Sequence, residues 1–165
     1  MNWKGMAWLL LLFVQPALAA EASADSGVPR TEHSFAPVTF AIGCGATTRS
    51  EDRRDLKGSD RAVGFVHQTE CIDVGKQVEG AKLVAIAIGE NEKLGSFDVI
   101  LKLDPDSALR LAKLTDHGNP QPIVLSVKQK AVVASFLQAP FHGDKFWITA
   151  STLDDARKTA DLFDK

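Results

Sequence analysis

A chain of 165 residues, 45 % hydrophobic and 24 % charged, is long enough for one domain with a sizeable core. Its 19 basic and 21 acidic residues give a net charge of −2, which excludes the basic face or stripe that nucleic acid requires. Arg53-Arg54 and Lys128/Lys130 are short clusters offset by nearby acids, a pattern expected of solvated loops.

Residues 1–19 have the form of an export signal. Lys4 supplies the positive start, "MAWLLLLFV" the apolar centre, and Ala17-Leu18-Ala19 a small-residue cleavage site. The apolar run is about ten residues, short of the roughly 20 that a membrane-spanning helix needs, and nothing later in the chain approaches that length. No cysteine follows the cleavage site to carry a lipid. The expected product is a soluble periplasmic or secreted protein, cleaved near Ala19 and without stable membrane insertion of the mature chain. Loss of Lys4 leaves 18 basic residues against 21 acidic ones, a net charge of −3.

Residues 20–36 are small, polar and aperiodic, as expected of a disordered leader, and 37–165 of a single domain. "PVTFAIG" (37–43) reads as a strand, "ATTRSEDRRDLKGSD" (46–60) as a charged loop, and "AVGFVHQTECIDV" (62–74) as one extended segment or two short ones. "KLVAIAIG" (82–89) and "SFDVILKL" (96–103) flank the turn-rich "ENEKLG" and predict an antiparallel hairpin. A helix follows. Asp104 suits its N-cap, Pro105 its first position and Asp106 the positive end of its dipole. Ala108, Leu111, Ala112 and Thr115 share one face, and Gly118, Pro120 and Pro122 end it. "PIVLSV" (122–127) and "AVVASFL" (131–137) predict a second hairpin around Lys128-Gln129-Lys130, and "KFWITA" (145–150) a further strand. Ser151 is placed as the cap of a last helix with the stripe Leu153, Ala156, Ala160 and Phe163. Short connections and hairpins together predict an α+β fold, a mostly antiparallel sheet with two helices packed on one face.

The stretch from Phe97 to Phe163 resembles the head part of the first periplasmic domain of SecD, a subunit of the bacterial export complex SecDF. That family runs a strand into an "LTPEGA"-like helix start, an "AIVLDGKVLSAPVI..PI" hairpin and an "ITG.FT.EEA..LA..L" strand and helix. Here the order is "VILKLDPDSALRLAKLT", "PIVLSVKQKAVVASFLQAPF" and "FWITASTLDDARKTADLF". The family's Asp-Gly-Lys turn keeps only Lys130, its Ser-Ala-Pro keeps only Ala134, a later proline is kept as Pro140, and the glycine after Ile-Thr is Ala150. The chain has none of the family's transmembrane helices, so the resemblance implies a fold and a surface for polypeptide, not translocation. It brings no catalytic residues and no cofactor.

Chemistry visible in the residues themselves is sparse. Cys44, His67 and Cys71 could contribute zinc ligands, but two cysteines 27 residues apart lack the paired ligand spacing of structural zinc sites. In an exported chain a Cys44–Cys71 disulfide is the expectation, and no metal. There is no GxSxG elbow, HExxH helix, SxxK signature or phosphate-cradling loop. His67, His117 and His142 could each act as a general base near a serine or aspartate, which keeps a small periplasmic hydrolase as the weakest reading. "FLQAPFHGDKFW" (136–147) gathers Phe136, Phe141, Phe146 and Trp147, and aromatics anchor protein interfaces. Alternate residues there are expected to pack under the helices, leaving Phe141 as the exposed anchor. Lys130, Phe141, His142 and Lys145 are the candidate binding residues. The function expected is non-catalytic binding of polypeptide or an envelope protein, with an inhibitor or regulatory adaptor of one envelope protein as the alternative.

Overall fold

A computed structural model describes residues 34–64, 69–116, 121–137 and 139–165. The expected export signal, His67, His117 and the helix-ending Gly118 and Pro120 lie outside the described residues.

The sheet expected from the sequence is replaced by two β units. Strands β1 (Val38–Gly43), β2 (Arg53–Gly64), β3 (Thr69–Ala81), β6 (Ile123–Val127) and β7 (Lys130–Ser135) close into a barrel in the order β1-β3-β2-β7-β6. Strands β4 (Leu83–Asn91), β5 (Ser96–Leu103) and β8 (Lys145–Ala150) form a separate three-stranded sheet in the order β4-β5-β8. Among the described residues two short α-helices accompany them, α1 (Pro105–Thr115) and α2 (Leu153–Ala160). They do not share one sheet face: α2 packs on the three-stranded sheet, and α1 lies against β3. The α+β sheet with two helices on one face is therefore corrected to a mostly β protein.

Closure depends on strands that local pattern concealed. The expected charged loop at 46–60 becomes a 3-10 turn, Ser50–Asp52, followed by β2. Arg53, Arg54 and Asp55 are exposed on that strand, while Leu56 points inward and is buried. β2 pairs antiparallel with β3 and parallel with β7, a long-range pairing that no hairpin signal announces. Inside the barrel, Ala41, Leu56, Ile72, Val124, Ala131 and Ala134 form their own buried cluster. Three of these six are alanines, as the narrow interior of a small barrel demands. β6 is buried at all five positions, because one face fills the barrel and the other joins the main core.

Both expected hairpins form. β4 pairs with β5 from Asn91↔Ser96 to Leu83↔Leu103, and β6 with β7 from Val127↔Lys130 to Ile123↔Ser135. Lys128 and Gln129 make the second turn with φ of 49° and 64°, so both residues take the left-handed conformation of a two-residue I′ turn without a glycine.

The main core lies between the two β units. The Phe40 ring of β1 meets the Phe146 ring of β8 edge to face, with centroids 5.1 Å apart. Val99, Leu101, Leu111, Leu125, Ala156 and Phe163 are buried in the same cluster. Phe35 and Ala36, assigned by sequence to the leader, belong to this core; Phe35 bridges to Asp164, and the Ala36 N–H donates to the Phe163 carbonyl at 2.8 Å. The cap of α2 is Thr152 rather than Ser151: its hydroxyl oxygen accepts from the Asp155 N–H at 3.1 Å. The Cys44–Cys71 disulfide is present, with Cα atoms 5.4 Å apart, and joins the end of β1 to β3.

Candidate functional site

The candidate site is a groove built around α1. Asp104 caps that helix, accepting from the Ser107 N–H at 2.8 Å. The Lys82 N–H donates to the Ser107 hydroxyl oxygen at 2.9 Å, and the Asp104 N–H donates to the Lys82 carbonyl at 3.0 Å. These two bonds clip the first turn of the helix to the junction between β3 and β4. The Arg110 guanidinium adds a bond to the Glu79 carbonyl at 3.1 Å. Hydrogen bonds from Ser107 hold the Asp104 carboxyl below the ordinary carboxylate range against the opposing effect of burial, with a lesser contribution from the charges of Lys82 and Arg110.

The far wall is the segment 141–144. The Phe141 N–H donates to the Thr115 hydroxyl oxygen at 2.9 Å, and Thr115 in turn donates within the last turn of α1, to Leu111 and Ala112 carbonyls. At the other end the Leu103 N–H donates to the Asp144 carbonyl at 2.8 Å. Between these two ties His142 and Gly143 arch outward. Gly143 has φ of 87°, a conformation that a side chain would strain.

Val84, Leu103, Pro105, Ala108, Leu109 and Ala112 supply an apolar lining to the resulting space of about 580 Å³, with Lys102, His142 and Asp144 at its polar edge. Val84 is 44 % exposed and Leu109 54 % exposed, unusual for two large aliphatic side chains lining one groove. Lys102 and Asp144 approach to 3.7 Å across the edge, each about half exposed, so their attraction is weak and easily exchanged for another partner.

The four sequence candidates separate in space. His142 lines the groove, and Lys145 opens β8 directly opposite Lys102 in the ladder. Lys130 sits at the exposed start of β7 in the barrel and does not line the groove. Phe141, expected to be exposed, is corrected: it is 7 % exposed, its ring 6.5 Å from that of Phe146, and it belongs to the main core. Among the described residues the exposed large aromatics are Phe136 and Trp147, each 55 % exposed. Trp147 stands on the outer face of the three-stranded sheet because the alternation of β8 sends Phe146, Ile148 and Ala150 inward.

Sequence reasoning missed Val84 and Leu109. Leu109 carried a usable signal, a large apolar residue off the buried stripe of its helix. Val84 did not, because the register shift between Leu83 and Ala85 that displaces it from the strand alternation is a tertiary feature.

Among the described residues no three His, Cys, Asp or Glu side chains come together as a metal set, and both cysteines are committed to the disulfide. No described helix is long and apolar enough to cross a membrane. No protein-family model, curated protein or solved structure matches this chain.

Proposed function

We propose that this is an exported, non-catalytic polypeptide-binding protein and that the groove beside α1 receives an apolar side chain of its partner. The observation that carries the reading is that the exposed Val84 and Leu109 line one groove together with Leu103, Pro105, Ala108 and Ala112. Leaving this apolar surface in water is unfavourable by about 25 cal/mol per Å², so an occupant that covers it gains what the free protein forgoes. The polar edge of Lys102, His142 and Asp144 can orient such a partner without contributing chemistry to it. The resemblance of residues 97–163 to the SecD head part supports the same class of ligand.

The test uses the mature protein and a permanently unfolded chain, reduced and carboxymethylated α-lactalbumin, followed by fluorescence anisotropy. Leu109→Asp and Val84→Asp are expected to weaken binding at least tenfold with a small change in melting temperature, since both side chains are about half in water. Absence of binding by the unaltered protein, or equal binding by both variants, would remove the groove as the site.

A further inference from the structure

The groove is continuous with an unpaired strand. β4 forms its only ladder with β5, and among the described residues no strand lies along its other side. Soluble proteins shield such edges with lysine, proline, inward charge or a bulge placed along the strand. β4 reads Leu-Val-Ala-Ile-Ala-Ile-Gly-Glu-Asn, nine residues with no lysine or proline and with Glu90 near its far end. Its one register shift, between Leu83 and Ala85, lies at the groove and leaves 85–91 in regular extended pairing. The opposite edge of the same sheet differs. β8 is six residues long, sends Lys145 and Thr149 outward beside Trp147, and lies against β2 of the barrel.

We propose that the free edge of β4 is the docking strand for an extended polypeptide, whose backbone adds to the sheet while one apolar side chain enters the groove. The inference rests on the polypeptide-binding reading above and states how that binding occurs. An open edge offers N–H and C=O groups that an extended backbone matches in register. Charge fixes the chemistry of the partner further. Lys82 lies just before β4, and the ladder partners Lys102 and Lys145 stand at the same end of the sheet, where the half-exposed Asp144 holds Lys102 only weakly and Asp104 faces Lys82. Glu90 and Glu92 lie at or just beyond the other end. The complementary occupant is a segment of about six to nine residues that carries an acidic side chain next to its apolar anchor and a basic one at its other end. An antiparallel arrangement is the more favourable per residue. That direction places the anchor and the acidic residue at the C-terminal end of the bound segment.

The experiment takes the mature, disulfide-bonded protein with the acetylated, amidated peptide Lys-Thr-Val-Thr-Val-Thr-Leu-Glu, and its charge-exchanged form beginning with Glu and ending with Lys. Amide hydrogen exchange is read residue by residue. The first peptide is expected to slow exchange at alternate β4 amides between Ala85 and Gly89 at least tenfold. The charge-exchanged peptide and the Leu109→Asp variant are expected to bind at least tenfold more weakly. Binding that perturbs Leu109 and His142 but leaves the β4 amides unprotected would overturn strand addition while leaving the groove as a polypeptide site. Equal affinity for both peptides would overturn the charge assignment. Protection of β4 that rises with protein concentration in the absence of peptide, together with a dimer mass by light scattering, would make the occupant a second copy and overturn the proposal. If neither peptide binds and the unfolded chain also fails to bind, both readings fall together.

Discussion

The barrel and the three-stranded sheet solve the same problem in opposite ways. In the barrel every strand has two neighbours, the interior is filled by three alanines interleaved with Leu56, Ile72 and Val124, and a disulfide ties β1 to β3. In the sheet two of three strands are edges, one face is covered by α2, and the end of β4 opens into a groove. Closure satisfies backbone groups internally and leaves little with which to bind a chain; an open sheet keeps that capacity at the cost of exposing it. The barrel therefore has the closed part of the backbone, and the sheet with α1 holds both the open strand edge and the groove.

The sharpest test of this division is the joint between the two units. Phe40→Ala removes the ring that packs on Phe146 and is expected to cost about 3–5 kcal/mol of stability, read as the shift in a urea unfolding curve. A cost below about 1 kcal/mol would mean that the two units do not share a core. Phe141→Ala is expected to be destabilising on the same scale, the opposite of what an exposed anchor would show.

Opening the barrel comes next. Replacing Cys44 and Cys71 together by serine frees a 27-residue separation and is expected to cost about 3–4 kcal/mol in the chain-entropy account, with groove binding retained wherever the protein remains folded. Loss of peptide affinity in the folded double variant would show that barrel and groove are coupled.

A smaller effect belongs to the clip at α1. Asp104→Ala is expected to cost about 1 kcal/mol, the usual worth of an N-cap, and to loosen the groove at Lys82. Because the folded carboxyl is held below its ordinary value, the stabilisation is present above the unfolded-state pKa. It is lost as pH falls from that value through the lower folded one, which places the change below about pH 4. Asp104→Asn keeps a capping acceptor and is expected to remove this acid-side dependence in melting temperatures measured from pH 2 to 6. The smallest change expected is a gain. Lys128 and Gln129 hold left-handed conformations better suited to Asn-Gly, so Lys128→Asn with Gln129→Gly is expected to stabilise the barrel by about 0.5–1 kcal/mol by thermal melting.

Local structure was legible wherever a segment carried its own punctuation. The Asp-Pro-Asp-Ser start of α1, the alternation of β8 and the two hairpins depend on neighbours a few residues apart, and they form as expected. The cysteine pairing was legible too, because two thiols in a chain with the expected export signal leave few alternatives. His142 reached the site for a weaker reason, its place in a Gly- and Pro-bearing loop. Phe141 misled because aromatic content says nothing about which side of a loop faces the core; the hydrogen bond to Thr115 settles that.

Sequence by itself determined the strands with clear alternation, both helices and the covalent link, all products of short-range preference. Only tertiary structure decided that β2 begins at Arg53, since the charges of 53–60 read as loop until β3 and β7 lie on either side of the strand. The same holds for the groove. Val84 and Leu109 are 25 residues apart in the chain, and their place in one groove depends on how Lys82 grips the start of α1. Closure of a barrel and convergence of a site are long-range events, fixed by which backbone groups find partners across the fold rather than by any residue's own propensity.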